Sequence, residues 1–343
     1  MARLANVSRQ TVSRVINNKD AVSPDTESRV RAAIEELGYR PNSFARSLVT
    51  NRSLVIGLVL PNISQPYYPE IARGVEDGSY EAGYSVFLSH TGGDPTRELR
   101  ALERLRDHRV DGVIICNSSL DDESLTQAIA ALSPVVLVNR RVPHVSGTVI
   151  WTGYDSGTAL AVEHLYAIGR RRIIYLGFNY PNEVDNARFR GYRTGLERVG
   201  LPFDERLVIR GANHFRGGFD AMLAAHASGI EADALFASND LMGIGAMRYA
   251  LTHGFDVPSD LAIVGFGGSD VASMVTPDLT TVSMPLYLIG VTAVQELLQL
   301  GSGTEEQHRQ VNIEPELLIR GSTVAASNTG AAVAPTITRR EKR

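Results

Sequence analysis

The stretch VSRQTVSRVINN (residues 7–18) sets Val12, Val15 and Ile16 on one side of a 3.6-residue helix and Arg9, Gln10, Ser13, Arg14 and Asn17 on the other. Its neighbours decide what so short a helix is for. Upstream, ARLAN (2–6) reads as a helix of hardly any length, broken at Asn6-Val7-Ser8, and Ser8 can cap a helix over 9–17. Downstream, SPDTE (23–27) carries the marks of a helix start: Ser23 as N-cap, Pro24 at the first helical position, acids in the first turn. Val30, Ala33, Ile34 and Leu37 make its apolar stripe, and Gly38 with Pro41 ends it. Two helices joined by a tight turn, then a third, match the helix-turn-helix pattern. In that arrangement helix 9–17 enters the major groove of a duplex. Arg9 and Arg14 suit guanine O6/N7, Gln10 suits adenine N6/N7, and Thr11 or Ser13 can reach phosphate. The same polar face would also serve a helix that meets only water.

Charge favours the first alternative. The chain of 343 residues has a net charge of −4, yet residues 1–52 hold nine Arg and Lys against five Asp and Glu. A head of +4 on a body of −8 suggests that only the head meets a polyanion. PNSFARSLVTNRS (41–53) follows, with Phe44 and Leu48 at i, i+4 in a segment too short to hold a helix alone. It is either a linker or a hinge helix that forms when two copies meet on DNA, where an apolar side chain can wedge between base steps.

Past the hinge the period changes. Apolar runs SLVIGLVL (53–60), YSVFLSH (84–90), VDGVIIC (110–116) and PVVLVN (134–139) alternate with helical patterns near 67–82, 95–108 and 122–132. The alternation restarts at RRIIYLGFN (171–179), with strands near 207–210, 233–237 and 261–265 and helices near 155–169, 186–199, 216–228 and 240–254. Repeated β-α-β predicts parallel sheets covered on both faces, in two tandem α/β lobes. Ligands of such sheets bind beyond the carboxyl ends of the strands, here between the lobes. Strand-end residues are therefore the candidates: Tyr67 and Tyr68 for stacking on a ring, Asp94, Asn139 and Arg140, Arg188 for hydroxyls or a carboxylate, and Asn239 with Asp240. Each, taken alone, is as well explained as a helix cap or an ion pair.

A composition of 43% apolar and 21% charged residues is that of a soluble globular chain. A single Cys excludes a disulfide framework or thiolate metal site and fits a reducing cytosol. The eight His are scattered, with His214 and His226 the nearest pair, so neither a metal nor a cofactor is expected. The longest apolar runs are too short to span a bilayer. No G-x-G-x-x-G, G-x-x-x-x-G-K-[ST] or G-x-S-x-G motif supports a Rossmann-like enzyme. A transport-type binding protein without DNA is the other alternative, opposed by the basic head and by the lack of a recognisable signal segment.

ARLANVSRQTVSRVINN, VSPDTESRVRAAIEELGYRPN and ARSL resemble the DNA-binding head and hinge of the lactose-repressor/galactose-repressor (LacI/GalR) family. LPNISQPYYPEIARGVED, AVEHLYAIGRRRIIYLG, ASNDLMGIGAMRYA and AIVGFGGSDVASMVTPDLTTV resemble its effector domain, itself like periplasmic sugar-binding proteins; the likeness runs from about residue 2 to 322. It implies a cytoplasmic transcriptional regulator, a homodimer on a near-palindromic operator, controlled by a sugar-like effector. It also implies a helix-turn-helix domain at 1–40, a hinge at 41–53 and an effector domain at 54–322. Lobe one would take about 54–153 plus 285–310, lobe two about 154–284 plus 311–322, with a disordered tail at 323–343. On the matching positions Arg9, Gln10 and Arg14 would read bases. Ser8, Thr11, Asn17, Ser23 and Asn42 would touch the DNA backbone, and Leu48 would be the wedge with Ala45 beside it. Tyr67, Asp94, Asn139, Arg140, Arg188, Asn239 and Asp240 would line the effector cleft.

Three departures stand out. The family's head begins several residues earlier, and Met1 occupies the place of a Val that a GUG codon also encodes. A start site upstream of Met1 is therefore expected. Phe266, assigned to the cleft, is followed by Gly267-Gly268 where the family often has two Asp, and Met284 stands where a Gln often does. That wall is expected to be roomier and less polar, suiting an effector bulkier or less hydroxylated there than a hexose, unless Ser269 and Asp270 substitute.

Overall fold

The computed structural model describes residues 1–16, 22–38, 52–132, 134–142, 147–180, 182–302 and 308–324. Asn17, Asn42, Ala45 and Leu48, with most of the hinge and tail, lie outside the described residues. The chain divides into two compact units, 1–54 and 55–343.

In the first unit, α1 (Arg9–Ile16) and α2 (Pro24–Glu36) pack around Ala5, Val12, Val15, Val30 and Ala33. Ser8 caps α1 by accepting Thr11 N–H at 3.1 Å. Ser23 caps α2, accepting Thr26 N–H and donating to Thr26 Oγ1. Two expectations need correction. Residues 2–6 form turns, with Ala5 N–H on Met1 O at 2.9 Å and Val7 N–H on Ala2 O at 3.0 Å, because one turn of chain is too short to propagate a helix. Leu37 is 54% exposed, since it is the C-cap of α2 and the αL residue Gly38 turns the chain away.

The second unit holds two six-stranded sheets. The first contains β1 (Val55–Leu60), β2 (Ser85–His90), β3 (Gly112–Cys116), β4 (Val135–Val138) and β5 (Gly147–Trp151), with helices α3 (Tyr67–Glu81), α4 (Pro95–Asp107) and α5 (Asp122–Ala130) between them. After it come α6 (Tyr154–Ala167), β6 (Ile173–Phe178), α7 (Glu183–Val199), β7 (Val208–Gly211), α8 (Phe215–Ala227), β8 (Ala234–Ala237), α9 (Asp240–Thr252), β9 (Ala262–Gly267) and β10 (Thr280–Ser283). The chain then returns through α10 (Leu286–Gly301) to β11 (His308–Asn312) and ends in β12 (Glu316–Leu318).

Sheet one runs β11-β5-β4-β3-β1-β2, all parallel; sheet two runs β12-β10-β9-β8-β6-β7, with only the β10–β12 pair antiparallel. Burial on both faces explains the unbroken apolar runs of the inner strands β1, β3, β4, β6, β8 and β9, whereas the edge strand β2 is largely exposed. On β1, Leu58 and Leu60 meet α3 and α10, while Val59 faces α4 and α5. Sheet two puts Tyr175 and Phe236 against α6 and α7, and Ile174 and Leu235 against α8 and α9. One apolar cluster, from Leu58 through Trp151 and Tyr154 to Tyr192, joins the two sheets. The polypeptide crosses between them three times, at 152–153, 284–285 and 313–315.

Among the described residues no helix is long and apolar enough to cross a membrane, and no group of His, Cys, Asp and Glu could hold a metal ion. Cys116 is buried at the end of β3, and burial pushes its thiol up to about 12.

Candidate functional site

A cleft of about 690 Å³ opens beyond the carboxyl ends of the strands of both sheets, within the range of roughly 300–1,000 Å³ common for small-molecule sites. Parallel topology explains the location: every strand except β12 ends in a loop on this side of its sheet, and loops of both sheets contribute to the lining.

The floor is a hydroxyl cluster. Tyr67 Oη lies 3.1 Å from Tyr154 Oη, and Asn139 Nδ2 donates to both, at 3.3 and 3.1 Å. Asn139 sits at φ +57°, a conformation that Asn tolerates better than most residues. Its Oδ1 accepts Thr152 N–H at 3.1 Å and Thr152 Oγ1 at 2.9 Å, which ties the floor to the first crossing. Tyr68 Oη accepts from Asn117 Nδ2 at 3.1 Å. Burial raises both Tyr67 and Tyr68 well above the ordinary phenol range, so both stay neutral. Ring faces form the walls: Tyr154 stacks on Phe266 with centroids 5.3 Å apart, and Phe178 on Tyr180 at 5.5 Å.

Two contacts bridge the lobes at the rim. Arg140, after β4, donates to Leu120 O and pairs with Asp122 at 2.7 Å on its own side and with Glu183 at 3.1 Å at the start of α7. Gln65 Nε2 donates to Asn213 O at 2.8 Å. Asn239 caps α9 through Met242 N–H and donates to Asn213 Oδ1, and Asn213 Nδ2 donates to Tyr180 Oη at 3.0 Å. Behind the wall, buried Glu98 accepts Ser118 Oγ and Ser119 N–H and so fixes the loop after β3; burial raises its carboxyl above the usual range.

Arg188, on the second turn of α7, is 5% exposed, with its Cζ 4.4 Å from the Tyr154 centroid and 4.5 Å from that of Phe266. Its Nε and Nη1 are buried and have no acceptor.

The structure thus places Tyr67, Tyr68, Asn139, Arg140, Arg188, Asn239 and Phe266 around one cleft. Asp94 and Asp240 do not line it. Asp94 is the N-cap of α4, accepting Thr96 N–H at 2.8 Å and Arg97 N–H at 3.3 Å. Asp240 is 3% exposed and binds Ser269 N–H, Ser269 Oγ and Thr281 Oγ1, tying α9 to β10; burial raises its carboxyl. Ser269 therefore does not substitute for a missing acceptor, and exposed Asp270 does not reach the lining either. Sequence reasoning passed over Asn117, Tyr154, Tyr180, Asn182 and Asn213. Asn117 directly follows β3, and Tyr180 and Asn213 are the second residues after β6 and β7, so the strand-end rule applied to every strand would have found them. Tyr154 follows a strand that the periodicity did not reveal.

In the head, Ser8, Arg9, Gln10 and Arg14 are exposed and Thr11 is half-buried. Ser8 and Ser23 already cap helices.

Residues 1–42 match the family model for bacterial regulatory proteins of the lacI family, and residues 162–323 match that for a periplasmic binding protein-like domain. The chain is 33% identical over 323 residues to the ribose operon repressor of Escherichia coli (strain K12), covering 94% of this chain and 98% of the relative. Among solved structures it is similar to the lac repressor dimer bound to operator and the anti-inducer ONPF (TM-score 0.86, 30% identity, 94% of this chain and 98% of that one). It is also similar to the transcriptional regulator CelR in complex with cellobiose (TM-score 0.73, 33% identity, with the same coverage).

Proposed function

The chain belongs to the lacI family of bacterial regulatory proteins, whose members here are transcriptional regulators and not enzymes, and from that premise we propose how it works. It is a cytoplasmic repressor that binds a near-palindromic operator as a homodimer and releases or grips it when a sugar or sugar derivative enters the cleft. A two-fold dimer presents two copies of α1 to two half-sites, with Arg9, Gln10 and Arg14 at base edges and Thr11 and the helix caps Ser8 and Ser23 at the phosphates. Asn17, Asn42, Ala45 and Leu48 complete the duplex contacts in this proposal. Tyr67, Tyr68, Asn139, Arg140, Arg188, Asn239 and Phe266 hold the effector.

The observation that carries the proposal is the pairing, in one chain, of an exposed Arg-Gln-Arg helix face with a cleft whose floor is bonded to a chain crossing. Ligand that prefers one lobe arrangement shifts the equilibrium toward it, and the coupling to DNA is reciprocal. The test is selection from a random duplex library by full-length protein. Enrichment of a two-fold-symmetric site, with affinity changed by a cleft ligand, is expected. A protein that enriches no sequence is a ligand receptor of the periplasmic-binding type without a DNA role.

A further inference from the structure

Three charged side chains line the cleft: Arg140, Glu183 and Arg188. Arg140 and Glu183 pair with each other. Arg188 pairs with no carboxylate among the described residues, although two stand on α7 itself and a third at the start of α9. Asp185, three residues before it on α7, is occupied by Tyr175 Oη, Phe178 N–H, Ser238 Oγ and Arg210. Glu183 is taken by Arg140, and Asp240 by Ser269 and Thr281. A guanidinium keeps its charge when buried, and a buried charge demands an opposite one or a full set of acceptors. The Tyr154 and Phe266 ring faces supply part of that demand, yet leave Nε and Nη1 without an oxygen.

A second donor stands on the same lobe. Asn182 Oδ1 caps α7 by accepting Asp185 N–H at 2.8 Å, and its Nδ2, buried, has no acceptor. The amino end of a 17-residue helix adds partial positive charge there. Across the cleft, lobe one leaves over an acceptor, Asn117 Oδ1, beside one further donor, Arg140 Nε.

We propose that the effector carries an oxyanion, a carboxylate or a phosphate, on a hydroxylated frame. The oxyanion sits on Arg188 and Asn182, and a hydroxyl donates to Asn117. This inference rests on the assignment of the cleft as the effector site.

The experiment is titration calorimetry on the full-length protein with matched pairs differing only in the anion: galacturonate and galactose, glucuronate and glucose, gluconate and glucitol, glucose 6-phosphate and glucose. In at least one pair the anion should bind about tenfold tighter or more. The uronate, aldonate and phosphate arms distinguish the source of the oxyanion. Arg188→Gln should erase the difference and Arg188→Lys keep part of it. Asn182→Ala, which leaves the guanidinium in place, should narrow it, so that a failure of Arg188→Gln to fold does not block the test. A neutral sugar that binds as tightly as its acid and shifts operator affinity overturns the oxyanion while the effector assignment stands. Silence across all pairs, with operator binding intact, overturns both.

Discussion

Asn139 holds Thr152 with a single oxygen: its Oδ1 accepts both the backbone N–H, at 3.1 Å, and the hydroxyl, at 2.9 Å. Thr152 is fully buried in the first crossing between the lobes. The other end of the Asn139 amide touches the two tyrosine hydroxyls on the cleft floor. Whatever moves those hydroxyls therefore pulls on the first crossing between the lobes. Asn139→Ala should leave Thr152 N–H stranded and lower unfolding free energy by about 1–3 kcal/mol in urea titration. Asn139→Asp keeps the acceptor, and the hydroxyls can turn to donate to it, so its loss should be smaller.

Closing the rim depends on Arg140 and Glu183, whose side chains are 13% and 29% exposed. Glu183→Gln should weaken closure by about 1 kcal/mol and shift the lobes toward the open form, measured as a larger radius of gyration by small-angle scattering with saturating ligand. Arg140→Gln should cost more, because it also abandons Asp122 and Leu120 O. An unchanged scattering profile in both variants would remove the rim contact from the mechanism.

On the DNA side, Arg14→Ala should weaken operator binding by about 1–3 kcal/mol and relax the preference at one base pair of each half-site, read by competition against a panel of single-base operator variants. Loss spread evenly over all sequences would make Arg14 a phosphate contact instead.

Acid should act through His164, which bonds Thr323 Oγ1 at 2.9 Å and whose pKa burial lowers. The unfolded chain then binds the proton more readily than the folded one. Stability is complete above the ordinary His value of about 6.5 and declines as pH falls from there toward the lowered pKa, at no more than about 1.4 kcal/mol per pH unit. His164→Gln should flatten that limb in denaturation curves recorded between pH 5 and pH 7, a range set by the same value of about 6.5.

Helices α6 and α7 touch at backbone distance: a Cβ on Gly191 would lie 2.2 Å from Asp155 O. Gly191→Ala must push the helices apart and should cost about 1–3 kcal/mol or prevent folding, read by thermal denaturation.

Most of the architecture was legible because period and punctuation agree along the chain. SPDTE announced α2, and the Asp, Asn and Gly residues around the runs at 84–90 and 110–116 bounded β2 and β3. What escaped lacks such contrast. Helix α10 is buried over much of its surface, including Ile289, Ala293, Val294 and Leu297, and so shows no clean polar face. Strands β5, β11 and β12 have three to five residues and owe their place to the neighbours they pair with. In the cleft, strand ends told where to look, but not which carboxylates were already committed to capping or cross-linking. Asp94 and Asp240 carry the right chemistry in the right loops, and only three-dimensional hydrogen bonding shows that backbone and hydroxyl donors have claimed them.

The edge strand β11 completes sheet one with residues 308–312, after every strand of sheet two except β12 has been made. A nascent chain emerging from the ribosome therefore cannot finish its first lobe until almost all of the second exists. Cutting the gene at the first crossing would yield an amino-terminal fragment with Gly147–Trp151 as a raw, unpaired margin, open to any passing strand. A premature stop anywhere before residue 308 therefore leaves both sheets short of an edge strand, rather than the last one alone.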